Sequence, residues 1–289
     1  MGSREIKVGA IQMKTMPNSS REEKVEHSLP LIEQASKDGC KIILHGELCT
    51  TDYDKFYQLN PSTLELAEPI PGPTTRTVGE LTKKYKNYVI MPVFEKNIPG
   101  IYYNSAAVIG PQGEVIGIYR KTHLASARVL ERLYFRSGNG FYVWETEFPP
   151  FAKFGIIICF DRRHPEPPRI LATLGAEIMF CPAAAVGYAG GQIQWDAVNI
   201  SRSIDTGMYT VYSNRAGKEL EFEYFGQSMI VNPHGEVIVQ AKDEQDIVVS
   251  AVLDLDEVDK ARMAHPLLRE MRNDLYARYY SHLKYEDVV

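Results

Sequence analysis

Apolar and polar positions alternate at the start of the chain: Ile6, Val8 and Ala10 are separated by Lys7 and Gly9, which predicts a half-buried strand over residues 5–13. A helix is expected next. Ser19 with Glu22, or Ser20 with Glu23, fits a capping box, and apolar residues recur near helical spacing from Val25 to Ala35 until Gly39, with Pro30 as an interruption. Residues 40–44 predict a short buried strand that breaks at His45 and Gly46, leaving Glu47 near its end. A second helix over 74–85 precedes strands at 88–94, 103–109 and 114–119, and Pro111-Gln112-Gly113 turns the last two into a hairpin.

The alternation then resumes. Residues 154–159 read as an apolar strand ending at Cys159, 168–174 as a short helix and 177–181 as a strand closed by Pro182. A helix over 195–205 and a strand over 209–214 follow. Strands at 227–232 and 236–240 form a hairpin turned by Pro233-His234-Gly235, and 247–252 is a last strand. Strands alternating with helices, plus two hairpins, predict an α/β fold of mixed sheets with helices outside. No Pro, Gly or Ser tract offers a boundary, so residues 1–289 are expected to form a single domain.

Composition removes several classes of function. Apolar runs are strand-sized, far short of the roughly 20 residues that span a bilayer, so no membrane association is expected. The opening MGSREIKVGA has no apolar stretch before a cleavage site, and Ile6 stands where a myristoylation signal wants Ser or Thr, so neither secretion nor lipidation is expected. Cys40, Cys49, Cys159 and Cys181 make neither a disulfide framework nor a CxxC zinc pattern, which fits a reducing cytoplasm. A net charge of -5 without a basic stripe argues against nucleic acid as a partner. Seven histidines show no HExxH or close pairing, so no metal or other cofactor is expected.

Candidate chemistry centres on Cys159, which stands between the apolar FGIII and the polar FDRRHPE. Alone, a strand-end cysteine is more often inert packing than a nucleophile. A nucleophilic role requires a neighbour that takes the thiol proton or stabilises the thiolate. His123, His164 and acidic residues at strand ends, Glu47 among them, are the candidates.

Three segments, HGEL at 45–48, YRKTHL at 119–124 and ICFDRRHPE at 158–166, resemble the nitrilase superfamily of carbon-nitrogen hydrolases. The likeness extends through VGAIQM, NSAAVIGPQGEVIGIYRK, LGAEIMFCPAA, RSIDTGMYTVYSNRAGKE, GQSMIVNPHGEVI and AVLDLDEV, and so covers nearly the whole chain. It implies a four-layer α-β-β-α sandwich. It also implies Cys159 as nucleophile, Glu47 as general base, Lys121 as the cation at the tetrahedral intermediate, and Glu131, in LERLYFRSGNGF, as the second glutamate. Lys121 and the Phe160 backbone N–H are expected to meet the oxyanion of an attacked carbonyl. The four charged or ionisable groups are expected to titrate together.

Arg162 and Arg163 in FDRRHPE resemble the arginine pair with which N-carbamoyl-D-amino acid amidohydrolases hold a substrate carboxylate; a subunit interface or surface ion pair is the other reading. His123 and Tyr53 are expected either to line the pocket or to serve packing. Alanines in CPAAAVG at 181–187 imply an apolar wall, and Gly46, where the family commonly has proline, implies backbone angles closed to proline. The implied substrate is a small amide, above all an N-carbamoyl amino acid. Alternatives are N-carbamoylputrescine, β-ureidopropionate, an ω-amide, a nitrile, or a non-catalytic binding role on the same fold. Residues 265–289, rich in aromatic residues and arginine, are expected to reach a neighbouring subunit in a homodimer or larger assembly.

Overall fold

The computed structural model describes residues 4–126, 129–187 and 191–282. Positions 283–289 of the expected oligomerisation segment therefore lie outside the described residues. The first half holds β1 (Glu5–Gln12), α1 (Arg21–Lys37), β2 (Ile42–Leu44), α2 (Pro73–Tyr85), β3 (Tyr88–Ile98), β4 (Ile101–Ile109), β5 (Val115–Arg120) and α3 (Glu131–Tyr134). The second half holds β6 (Val143–Glu145), β7 (Lys153–Ile156), α4 (Glu166–Thr173), β8 (Ile178–Ala183), α5 (Gly191–Thr206) and β9 (Tyr209–Asn214). It continues through β10 (Ala216–Glu219), β11 (Phe222–Phe225), β12 (Met229–Val231), β13 (Val237–Gln240), β14 (Ile247–Asp254), α6 (Asp256–Ala264) and α7 (Asn273–His282).

Two six-stranded mixed sheets face each other, in the orders β14-β1-β2-β3-β4-β5 and β13-β12-β9-β8-β7-β6. Alternation along each strand explains the layering. Val8, Ala10, Ile42, Leu44 and Ile90 of the first sheet meet Phe154, Ile156, Ile178, Phe180 and Val211 of the second in one apolar core. Their neighbours Ile11, Ile43, Val89 and Met91 point the other way, to Ile32 of α1 and Val78 of α2. Ile157, Met179 and Tyr212 likewise point to Leu171 of α4 and Trp195 of α5. Strands buried on both faces require continuous apolar runs, which is why the central segments carry so few polar residues. The expected four-layer sandwich is the observed one.

Local chemistry sets the details. Ser20, not Ser19, caps α1: Glu23 N–H donates to its hydroxyl, and the Glu23 side chain accepts from the Ser20 N–H. Pro30 sits inside α1 on its exposed side, where the carbonyl that loses its partner can face water. Two of the strand ends that differ from expectation lie near the candidate chemistry. β7 stops at Ile156, so Cys159 opens a helical turn over Cys159–Arg163 instead of closing the strand. β8 runs through Pro182 to Ala183, paired there with Ser213 and Asn214 of β9, whereas its register with β7 ends at Phe180, so a residue without an N–H is tolerated. The pattern also gave no warning of the β10–β11 hairpin, whose short strands lack clean alternation. Among the described residues no helix is long and apolar enough to cross a membrane.

Candidate active site

Four segments far apart in sequence converge at one end of the two sheets. Glu47 lies three residues past β2, Lys121 directly follows β5, Glu131 opens α3, and Cys159 follows β7. Lys121 Nζ is 2.8 Å from Glu47 Oε1 and 2.8 Å from Glu131 Oε1, and all three side chains are fully buried. Tyr53 donates its hydroxyl to Glu131 Oε1 at 2.5 Å, and the Ala125 N–H donates to Glu131 Oε2 at 2.7 Å. Asn104 Nδ2 donates to Glu47 Oε1 at 2.8 Å.

Removing two carboxylates and an ammonium from water is costly unless each finds partners, and here they supply one another's. Burial pushes Lys121 down, but Glu131 and Glu47 outweigh it and hold the ammonium well above the usual lysine range. Burial also pushes the Glu131 carboxyl up, an effect that Lys121 opposes and Glu47 reinforces. The cluster thus retains its cation at neutral pH.

Cys159 adopts φ 45°, a left-handed conformation unusual for a residue with a side chain. Its turn is held by Asp161, a buried carboxylate that accepts from the Ile158 N–H at 2.9 Å, the Tyr119 hydroxyl at 2.7 Å, the Thr122 hydroxyl at 2.8 Å and the His123 N–H at 2.8 Å. Asp161 therefore ties the turn bearing Cys159 to the segment bearing Lys121. Burial, then the negative charge of Glu47, push the Cys159 thiol up to about 12, against the pull of Lys121 and Arg162. The thiol is protonated at neutral pH and needs a base to become a nucleophile.

A cavity of about 310 Å³ opens over Cys159, lined also by Tyr53, Phe160, Arg162, Arg163, Ala184 and Val186. Glu47, Lys121 and Glu131 lie outside that lining, with Tyr53 touching both the cavity and the cluster. The two arginines differ. Arg162 is buried, donating from Nε to Asn199 Oδ1 at 3.1 Å and from Nη1 to the Cys159 carbonyl at 2.9 Å, with its guanidinium 4.8 Å over the Trp195 ring. Arg163 is exposed and donates to Gln194 Oε1 at 2.8 Å.

His123 is not part of the cavity lining: its Nδ1 is 2.9 Å from Asp161 Oδ1, and its ring stacks on His164 at 4.0 Å, with Phe160 edge-on to His164. Gly46 does not use the left-handed region. What excludes proline there is its N–H, which donates to His45 Nδ1 at 2.7 Å. Among the described residues no group of three or more His, Cys, Asp or Glu is arranged to hold a metal ion.

Sequence reasoning passed over Asn104, Asp161 and Arg215. Arg215 is buried and donates from Nε to the Glu47 carbonyl at 3.0 Å and from Nη2 to the carbonyls of Leu48 and Thr51, fixing the loop in which Leu48 has φ 46°. Glu219 accepts from its Nη1 at 2.6 Å. Asn104 and Asp161 are polar side chains inside or beside apolar runs, a signal that such a group needs a buried hydrogen-bond partner, whereas Arg215, within SNRAGKE, carries no such signal.

The carbon-nitrogen hydrolase family model matches residues 7–263. The chain is 30% identical to human omega-amidase NIT2 over 267 residues, covering 90% of this chain and 93% of that protein. It is 32% identical to a protein named nitrilase from Pyrococcus abyssi over 283 residues, covering 94% and 100%. Among solved structures, the carbon-nitrogen hydrolase of Helicobacter pylori G27 matches with a TM-score of 0.87 at 29% identity, over 96% of this chain and 98% of that one. Saccharomyces cerevisiae Nit3, at 24% identity and a TM-score of 0.78 over 93% and 97% of the chains, shares the fold. Family match and fold agree: this chain belongs to the carbon-nitrogen hydrolases of the nitrilase superfamily and is a cysteine-dependent amidohydrolase.

Proposed function

We propose that the chain hydrolyses the terminal amide of a small linear compound that carries a carboxylate at its far end, with Cys159 as nucleophile. The observation that carries this reading is the pairing of a buried Glu47–Lys121–Glu131 cluster with a partly accessible cysteine whose thiol feels both Glu47 and Lys121. Glu47 takes the thiol proton as sulfur attacks the amide carbon. The oxyanion is met by Lys121 and the Phe160 N–H, groups fixed before the reaction begins. Glu47 then returns its proton to the departing amine, which leaves as ammonia. Water, deprotonated by Glu47, cleaves the thioester and releases the acid.

Arg163, an exposed residue of the cavity lining that also donates to Gln194, supports an anionic substrate, since its guanidinium sets a positive charge beside the space over Cys159. Arg162 fits that task less well, because its Nε and Nη1 already bond to Asn199 and to the Cys159 carbonyl. A clamp built from both arginines, as in the carbamoylase reading, would need Arg162 to leave those partners. The omega-amidase named among the relatives is consistent with the simpler anchor, so ω-amides of dicarboxylic acids are placed ahead of N-carbamoyl amino acids.

The test is ammonia release from ω-amides, N-carbamoyl D- and L-amino acids, uncharged amides and nitriles, with Cys159→Ala and Arg163→Ala assayed alongside. Cys159→Ala should abolish turnover. Arg163→Ala should cost the anionic amides about tenfold or more in kcat/KM and leave uncharged amides within about threefold. Equal losses on both classes would remove the carboxylate from the proposal, and full activity of Cys159→Ala would remove the mechanism.

A further inference from the structure

Asn104 lies within β4, opposite Phe94 of β3, and reaches the cluster through both its main chain and its side chain. Its carbonyl accepts from the Lys121 N–H at 2.9 Å, and its Nδ2 donates to Glu47 Oε1 at 2.8 Å. The residue is fully buried. Turning the amide over would set Oδ1 against a carboxylate oxygen, two acceptors face to face, so the donor orientation is the one the cluster demands.

Oε1 of Glu47 therefore receives two donors, Asn104 Nδ2 and Lys121 Nζ, each at 2.8 Å. Oε2 of the same carboxylate is buried and has no hydrogen-bond partner among the described residues. An oxygen that already holds two short donors resists protonation, because a proton there must displace or repel one of them. Its twin is under no such constraint. Lys121 alone would not fix the carboxylate plane, since its ammonium is shared with Glu131. A second donor, fixed in a central strand, removes the remaining rotation.

We propose that Asn104 is a positioning residue that, together with Lys121, occupies Oε1 of Glu47 and so reserves Oε2 for the proton transfers with Cys159 and the leaving amine. The inference rests on the reading of Glu47 as the base. It adds a division of labour between the two oxygens and names the side chain that enforces it.

The experiment compares Asn104→Leu, Glu47→Gln and the double variant by steady-state kinetics on the best amide substrate and by the rate at which iodoacetamide alkylates Cys159, read by mass spectrometry. Asn104→Leu should lower kcat by about 10–100-fold, the range expected for losing one hydrogen bond to a charged group, with KM within about threefold. Alkylation should slow with kcat. In the Glu47→Gln background the leucine should cost less than about threefold more, because the group it acts through is already gone. A kcat within threefold of the parent, or the same full loss repeated in the Glu47→Gln background, would overturn the proposal. Full turnover by Glu47→Gln would instead reject Glu47 as base. Should leucine fail to pack, Asn104→Ala carries the same reading, because the Lys121 N–H bonds to the main-chain carbonyl and not to the side chain.

Discussion

The guanidinium of Arg162 reaches back to Cys159, donating from Nη1 to its carbonyl at 2.9 Å and lying 3.9 Å from its sulfur. One side chain thus braces the left-handed turn and sets a positive charge beside the thiol. Its neighbour Arg163 is exposed and donates to Gln194, with which it lines the cavity. Adjacent residues of one type therefore meet different surroundings.

Arg162→Lys should separate these roles. A lysine ammonium is a single point that cannot serve Asn199 and the Cys159 carbonyl in the fork geometry of guanidinium. We expect kcat to fall by about tenfold or more on every substrate, charged or not, with KM changed little. Steady-state kinetics on one anionic and one uncharged amide decides it. Were the loss confined to the anionic amide, Arg162 would be a substrate anchor after all.

Glu47→Gln should move the thiol and the turnover in opposite senses. Burial is the main cause that holds the Cys159 thiol up to about 12, and the charge of Glu47 is the next. Removing that charge should lower the titration midpoint, followed by thiolate absorbance near 240 nm, so more thiolate exists at a given pH. Turnover should nevertheless drop by about 10²–10⁴-fold, because proton transfer in the reaction is lost. A variant with an unmoved thiol, or with turnover that rises with its thiolate, contradicts the base assignment.

His45 predicts an acid limit to stability. Burial, aided by the charge of Arg215, depresses its imidazole to about 3, well below the ordinary histidine value. The fold therefore favours the neutral ring. That contribution is complete above the unfolded pKa near 6.5 and is lost as pH falls toward 3, at about 1.4 kcal/mol per pH unit. Urea denaturation at pH 7 and pH 4.5 should show a steeper loss for the parent than for His45→Asn, which keeps an acceptor for the Gly46 N–H and cannot titrate. Parallel losses would show that other groups govern the acid limb.

How far the chain could be read in one dimension varies from residue to residue. The alternation of Ile6, Val8 and Ala10, the capping box at Ser20 and Glu23, and the Pro111-Gln112-Gly113 turn act over a few residues, so the elements they specify were legible. Apolar runs such as 154–158 pointed to buried strands within mixed sheets covered by helices, whereas the count of four layers came from the family resemblance. The short motifs around Glu47, Lys121 and Cys159 marked the candidate cluster through their family resemblance; position at a strand end alone singled out only Glu47 and Cys159. Sequence separation hid the rest. Asn104 and Glu47 are 57 positions apart, and only the pairing of β4 with β3 and β5 brings that amide to that carboxylate.

By itself, the sequence determined most of the succession of strands and helices and a mixed-sheet fold with helices outside, because hydrophobic period, capping and turn chemistry are local; the four layers and the roles of the ionisable groups followed from the family resemblance of its motifs. Only the tertiary structure decided that Arg162 is buried against Cys159 while Arg163 is exposed beside Gln194, that His123 serves Asp161 instead of the cavity, and that one oxygen of Glu47 is occupied while the other has no partner among the described residues. The reason is physical: hydrogen-bond direction and burial are set by neighbours contributed from other strands, and no run of adjacent residues encodes where those neighbours will stand.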